Sequence, residues 1–197
     1  MSDRTLDPAS TDTGVAVHTD EDLMLAFQAG DAGAFDTLYG RYRGRLFRFL
    51  AHETGSRQAG EEIYQEAWLR VIRARDEYRV SARFSTWLYQ IAHNCLVDHL
   101  RRQGRRWRHE ESHAEPPEAV CPLPTPEAEW ERRATAQALA RCLDALPPEQ
   151  REVFLLREEA GLALAEIAGV TGSGLEATKS RLRYALARLR ACLEEMR

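Results

Sequence analysis

The chain has 197 residues, enough for one medium or two small domains, and 44% of them are hydrophobic, so it can bury cores. Its 31 acidic residues outnumber 27 basic ones, for a formal net charge of −4, which argues against a protein that simply coats nucleic acid. No stretch approaches the ~20 consecutive apolar residues that span a bilayer.

Residues 1–19 are polar, lack the apolar core of a secretory signal, and are expected to be a disordered tail; a cytoplasmic location is expected. Asp20 to Gln28 reads as a short helix. Gly30 breaks it, and Asp31 caps the next by accepting backbone N–H bonds. That second helix, Ala32 to about His52, sets Phe35, Leu38, Tyr39, Tyr42, Leu46, Phe49 and Leu50 along one side and Arg41, Arg43, Arg45 and Arg48 on the other. Gly55 ends it. A third helix is predicted over Gln58 to Arg75, a loop over Tyr78 to Arg83, and a fourth helix from Phe84 to about Arg102. No segment alternates like a strand, so the expected class is all-α.

Residues 104–128 read as a flexible linker. Prolines at Pro116, Pro117, Pro122, Pro124 and Pro126 forbid a continuous helix. Seven acids fall between Glu110 and Glu131 with no Lys or Arg. A second domain is expected over 129–197, after a first over 20–103. It opens with a helix to Leu146, stopped by Pro147 and Pro148. The next helix carries Val153, Phe154, Leu155 and Leu156 as core candidates and closes at Gly161. Ala165 to Val170 is then a short apolar helix, Thr171 to Gly174 a turn, and a long helix runs from about Leu175, with Leu175, Leu182, Leu186, Leu189 and Leu193 as its apolar positions.

The chemistry sits in three places. Phe84 to Arg108 opens with the aromatics Phe84, Trp87 and Tyr89 and ends with Arg101, Arg102, Arg105, Arg106 and Arg108. Aromatics stack on unpaired bases and arginines neutralise phosphates, so the pairing suits DNA held with its bases released. Trp87, Leu88, Ile91 and Cys95 also sit at helical spacing, which assigns part of this set to a core. The helix–turn–helix pattern near the C-terminus carries Lys179, Arg181, Arg183, Arg188 and Arg190 against the single acid Glu176 between Thr171 and Arg190. A second helix of that kind enters the major groove. The third place is the acidic run Glu61 to Arg70.

Four cysteines are present, with no C-x-x-C pair. Cys95, Cys142 and Cys192 lie at apolar helical positions, and Cys142 shares a face with Leu139, Leu143 and Leu146; buried free thiols are expected. His109, His113 and Cys121 have no zinc-type spacing, so no metal is expected. No nucleophile elbow, phosphate-binding Gly-rich loop or HExxH motif is present. Neither enzymatic activity nor a cofactor is expected.

Together, and in this order, the motifs resemble the extracytoplasmic-function (ECF) group of the sigma-70 family over roughly Asp20 to Arg197. Glu61-Glu62-Ile63-Tyr64-Gln65-Glu66-Ala67-Trp68-Leu69-Arg70 is similar to the region-two helix that docks on the polymerase clamp. It has Glu62 where aspartate is usual and Tyr64 where threonine is usual. The run Phe84 to Asn94, with Asp98 to Arg102, resembles the helix that melts and reads the −10 element. The helix–turn–helix ending in Lys179-Ser180-Arg181-Leu182 resembles the region-four reader of the −35 element, with Thr171, Ser173 and Thr178 where aliphatic residues are commoner and Leu175 to supply the apolar contact.

The resemblance implies core RNA polymerase, promoter DNA and an anti-sigma factor as partners, with no membrane insertion. It implies core binding through Glu61, Glu62, Gln65, Glu66, Trp68, Leu69 and Arg70. It implies −10 contacts from Phe84, Trp87, Tyr89, Gln90, Asn94, Asp98, Arg101, Arg102 and Arg105. It implies −35 contacts from Glu176, Ala177, Lys179, Ser180, Arg181, Arg183 and Tyr184. The linker would thread toward the active-site cleft of the polymerase. The competing reading is a helix–turn–helix regulator that binds duplex DNA without polymerase. The first domain's two signatures, the Gln65-Glu66 helix and the Trp87 to Asn94 helix, speak against that. An RNA-binding protein is disfavoured because A-form RNA hides its major groove.

Overall fold

Local signals set the helix starts. The computed structural model describes the backbone of residues 18–106 and 126–196, with side chains in those spans except 104–134. The helix α1 spans Asp20–Gln28 and begins where the Thr19 hydroxyl accepts the Asp22 N–H while the Asp22 carboxylate accepts the Thr19 N–H, a reciprocal capping box. In α2, Ala32–Thr54, the Asp31 carboxylate accepts from Gly33 and Ala34 as expected. In α3, Arg57–Arg73, Ser56 caps through the Ala59 N–H, and a single 3-10 turn, Arg75–Glu77, follows. The remaining helices are α4 Phe84–Arg106, α5 Pro126–Asp144, α6 Pro148–Glu158, α7 Leu164–Thr171 and α8 Leu175–Glu195. The described residues contain no strand, and the fold is all-α.

The helix α4 continues through Gly104, and α5 starts at Pro126, before the expected second-domain boundary. Residues 107–125, with His109, His113 and Cys121, lie outside the described residues, as does the expected tail up to residue 17.

Helices α1 to α4 enclose one apolar core around Met24, Leu38, Leu46, Phe49, Leu50, Val71, Phe84, Leu88 and Tyr89. Helices α2 and α3 approach closely at a glycine. A Cβ at Gly60 of α3 would lie 2.8 Å from the Ala51 Cα of α2, inside any real contact distance. Helices α5 to α8 form the second half around Leu143, Leu146, Val153, Leu155, Leu156, Leu162, Ile167, Val170, Ala185 and Leu189.

Inside the turn between α7 and α8, Gly172 takes φ 64°, the left-handed conformation that suits glycine. The apolar anchor expected from Leu175 is absent, because that side chain is exposed. A hydroxyl chain replaces it. Thr171 Oγ1 and Ser173 Oγ are 2.8 Å apart, Ser173 Oγ and Thr178 Oγ1 2.9 Å, and the fully buried Thr178 hydroxyl donates to the Gly174 carbonyl at 3.1 Å. Each of the three hydroxyls thus has a partner, and hydroxyls hold the corner where an apolar contact was expected.

The cysteine expectation is half corrected. Cys95 is a buried free thiol. Cys142 and Cys192 are joined as a disulfide across 50 residues of sequence. The apolar spacing that suggested two buried thiols also brings α5 and the end of α8 face to face.

Candidate nucleic-acid interface

Burial sorts the expected contact residues of the first half. On α4, Phe84, Leu88, Tyr89, Ala92, Cys95 and Leu96 form the inward stripe. Phe84 packs on Tyr42, with ring centroids 5.3 Å apart, and Tyr89 on Phe49, at 5.4 Å. Both aromatics are core residues. The expectation that they stack on bases is corrected, since a ring enclosed by its own domain has no face to offer. Trp87 is half-buried against Tyr78 and Phe84. Asn94, Arg101 and Arg102 lie on the exposed side, and the Gln90 amide donates to Asn94 Oδ1 at 3.4 Å. Arg102 bonds back to the Asp98 carbonyl. The Arg105 side chain lies outside the described set.

On α3, Glu61, Glu62, Gln65 and Leu69 are exposed, Leu69 at 46%, and Ile72 continues the same strip. Apolar side chains standing among acids on an open face suit docking on a basic surface. Trp68 is not part of that face. It is buried against Phe35, Tyr39 and Tyr64, which corrects its expected role in contact with a partner. Tyr64, at the position where threonine is usual, joins this aromatic cluster. Arg70 bridges the helices, donating to Glu66 at 2.9 Å and to Asp98 of α4 at 3.1 Å. It therefore ties α3 to α4.

In the second half, Glu176, Ala177, Lys179, Arg183 and Tyr184 are exposed on α8, with Ser180 beside them. Lys179 pairs with Glu176 at 2.7 Å, Arg181 with Glu149 of α6 at 2.6 Å, and the Arg183 guanidinium lies over the Tyr184 ring at 5.0 Å. A shallow cleft of about 430 Å³ runs beside them, with Leu164, Leu182 and Leu186 as its apolar floor and Lys179, Arg183 and Arg190 at its edge.

The two halves pack on each other, and the contact falls on α4. The Thr86 hydroxyl donates to Glu166 Oε1 of α7 at 2.7 Å, and Arg83 approaches Glu166 Oε2 at 3.9 Å. Gln90 donates to the Val170 carbonyl at 3.2 Å. His93 Nδ1 lies 2.5 Å from Glu152 of α6. Nearer α2, Arg48 pairs with Glu159 at 2.9 Å, and Arg151 donates to the Glu53 carbonyl at 3.2 Å. Arg151 Nε stands 3.8 Å from the Glu53 carboxylate, an ion pair without a hydrogen bond. Loss of water pushes the Glu53 carboxyl up to about 8, with Arg151 pulling it down and Glu152 adding to the rise. Thr86, Gln90 and His93 form one stripe of α4, so α6 and α7 cover the strip beside Asn94. Sequence reading missed this interface. Its partners lie 59 to 111 residues apart, and helical periodicity carries no signal for such pairs.

Two family models match the chain in order: "Sigma-70 region 2" over residues 38–106 and "Sigma-70, region 4" over residues 136–189. The chain is 33% identical over 172 residues to the ECF RNA polymerase sigma factor SigM of Mycobacterium tuberculosis, covering 87% of this chain and 83% of that one. It is 31% identical over 170 residues to the ECF RNA polymerase sigma-E factor of Escherichia coli, covering 83% and 88%. Among solved structures it is similar to CnrH in complex with the cytosolic domain of CnrY, with a TM-score of 0.65 and 23% identity over 90% of this chain and 99% of that one. It is also similar to RpoE of Bartonella quintana in complex with the anti-sigma factor NepR, with a TM-score of 0.66 and 21% identity over 83% and 98%.

Proposed function

Because the chain belongs to the ECF group of RNA polymerase sigma factors, we propose that its halves divide promoter recognition between α4 and α8. The exposed strip of α3, Glu61, Glu62, Gln65, Leu69 and Ile72, docks on core polymerase. The exposed side of α4 around Asn94, with Arg101 and Arg102 and the loop before α4, holds the separated −10 strand. The face of α8 from Glu176 to Tyr184 reads the −35 duplex. Opening a base step costs about 1–2 kcal/mol of stacking. Capture returns about 1–3 kcal/mol per base. Capture therefore nearly offsets opening, and clamp docking supplies the remainder.

The carrying observation is that both matched regions present one exposed, polar helix face each, in the chain order that a two-element promoter requires. The α4 face is partly covered by α6 and α7, so strand capture needs the halves to separate. An anti-sigma factor is the natural partner to hold them together, in line with RpoE of Bartonella quintana, which is in complex with the anti-sigma factor NepR. No helix of the described residues is long and apolar enough to cross a membrane. Acting with RNA polymerase, the chain would work in the cytoplasm.

The test adds the purified chain to core bacterial polymerase on a pool of genomic promoters and maps the transcript starts. Starts at a defined set sharing −10 and −35 sequences are expected. Duplex binding by the chain with no core-dependent start would point to a plain helix–turn–helix regulator.

A further inference from the structure

Cysteine chemistry differs between the two halves. Cys95 is enclosed in α4, and burial pushes its thiol up to about 11, so it stays protonated and unreactive. Cys142 and Cys192 are bonded to each other. Cys142 is buried, Cys192 is half-buried on the last turns of α8, and the Met196 sulfur lies 3.7 Å from that of Cys142. The bridge spans α6, α7 and nearly all of α8, and so ties the ends of the whole helix–turn–helix half. Among the described side chains of α5, few are buried. From residue 135 onward, Thr135, Ala136, Gln137, Leu139 and Arg141 are exposed, and Cys142 and Leu143 are its buried side chains.

We propose that the Cys142–Cys192 bridge is a reversible thiol–disulfide staple: closed, it pins α5 to the base of α8, and opened by a low-molecular-weight thiol, it releases α5. The half-buried Cys192 sulfur is the point of attack. An external thiolate bonds to it, the bridge breaks, and Cys142 leaves as a thiolate that takes a proton from solvent. A second external thiol displaces Cys192 from the mixed disulfide. One disulfide and two small thiols become one small disulfide and two cysteine thiols, and the reverse exchange closes the staple. A long cross-linked loop removes much chain entropy from the opened ensemble, so the staple acts most on a small half with a limited core. Its consequence for duplex reading rests on the assignment of α8 above, whereas the staple itself does not.

The experiment equilibrates the full chain in glutathione buffers from fully reduced to fully oxidised, quenches exchange with acid, alkylates the free thiols in denaturant so that buried Cys95 is labelled too, and follows amide exchange of the folded chain by mass spectrometry. In oxidised buffer, two of the four cysteines are expected to resist alkylation and to map to Cys142 and Cys192. On reduction, exchange in α5 should speed up about tenfold or more, with α2 to α4 unchanged. A C95S/C121S chain should respond like the wild type, and C142S/C192S should exchange at the reduced rate in every buffer. If the double serine variant fails to fold, the wild type and C95S/C121S decide the matter, since neither alters the pair. Four reactive thiols in oxidised glutathione, or equal α5 exchange with the bridge closed and open, would overturn the staple. If the staple responds as expected while no buffer supports duplex binding, the assignment of α8 fails and the staple stands.

Discussion

The two helices assigned to DNA, α4 and α8, stand in opposite situations. On α4, the stripe Thr86, Gln90 and His93 is covered by α6 and α7 through polar contacts as short as 2.5 Å. On α8, Glu176, Ala177, Lys179, Arg183 and Tyr184 face outward, and the half-buried Arg181 is held by an acid of another helix. The closed chain thus covers much of the α4 face proposed to hold the strand and leaves open the α8 face proposed to read the duplex. The hydrogen bonds and ion pairs of that cover suit a separable interface, because each polar group regains water when the halves part.

The largest expected effect tests which α4 residues are core. Phe84→Ala should cost about 3–5 kcal/mol and abolish core binding and strand capture together, as global loss of fold. Asn94→Ala should leave the melting temperature and core binding intact and weaken strand capture alone, read by permanganate reactivity of −10 thymines. Equal behaviour of the two variants would erase the division between the inner and outer faces of α4.

Next comes the cover itself. Glu152→Ala leaves His93 without its partner and should weaken the closed arrangement by about 1–3 kcal/mol, seen as a larger radius of gyration in small-angle scattering. An unchanged radius would show that the polar contacts do not hold the halves.

The helix boundaries were legible in the sequence because their causes are local. Asp31 and Gly55 act within a few residues, and both stand where a cap and a stop were expected. The faces were less legible. Trp68, Phe84 and Tyr89 belong to a motif that suggests contact, yet their bulk fills the first core, and sequence cannot tell an aromatic offered to a base from one buried beneath the same surface. The hydroxyls of Thr171, Ser173 and Thr178 looked like gaps in an apolar pattern. They bond to one another, which no scale of single residues records. The contacts of Glu152, Glu166 and Glu53 with the other half, and the Cys142–Cys192 bridge, join residues far apart in the chain whose local surroundings are ordinary.

On α8 the comparison sharpens by charge. Arg183→Ala should lower duplex affinity across sequences and reduce the salt slope by about 1, as for a lost phosphate contact. Arg181→Ala should do less, because Glu149 already neutralises that charge. A larger effect at Arg181 would mean that the ion pair opens on DNA.

The smallest effect is that of pH on the closed state. The Glu53 carboxyl is raised to about 8 chiefly by burial. Its contribution is fully present below the ordinary carboxylate range and is lost as pH climbs through about 8. Thermal unfolding from about pH 5 to about pH 9 should show declining stability in the wild type and a flatter profile in Glu53→Gln. Identical profiles would remove Glu53 from the interface energetics.

The most direct measurement places a photo-reactive amino acid at Arg83, an exposed residue whose guanidinium approaches Glu166 of α7 at 3.9 Å and which sits in the loop expected to meet the −10 strand. In the free chain, illumination should link position 83 to a peptide of α7. With core polymerase on an open promoter, that link should vanish and be replaced by one to the unpaired strand. Persistence of the α7 link in a transcribing complex, with none to DNA, would contradict the account.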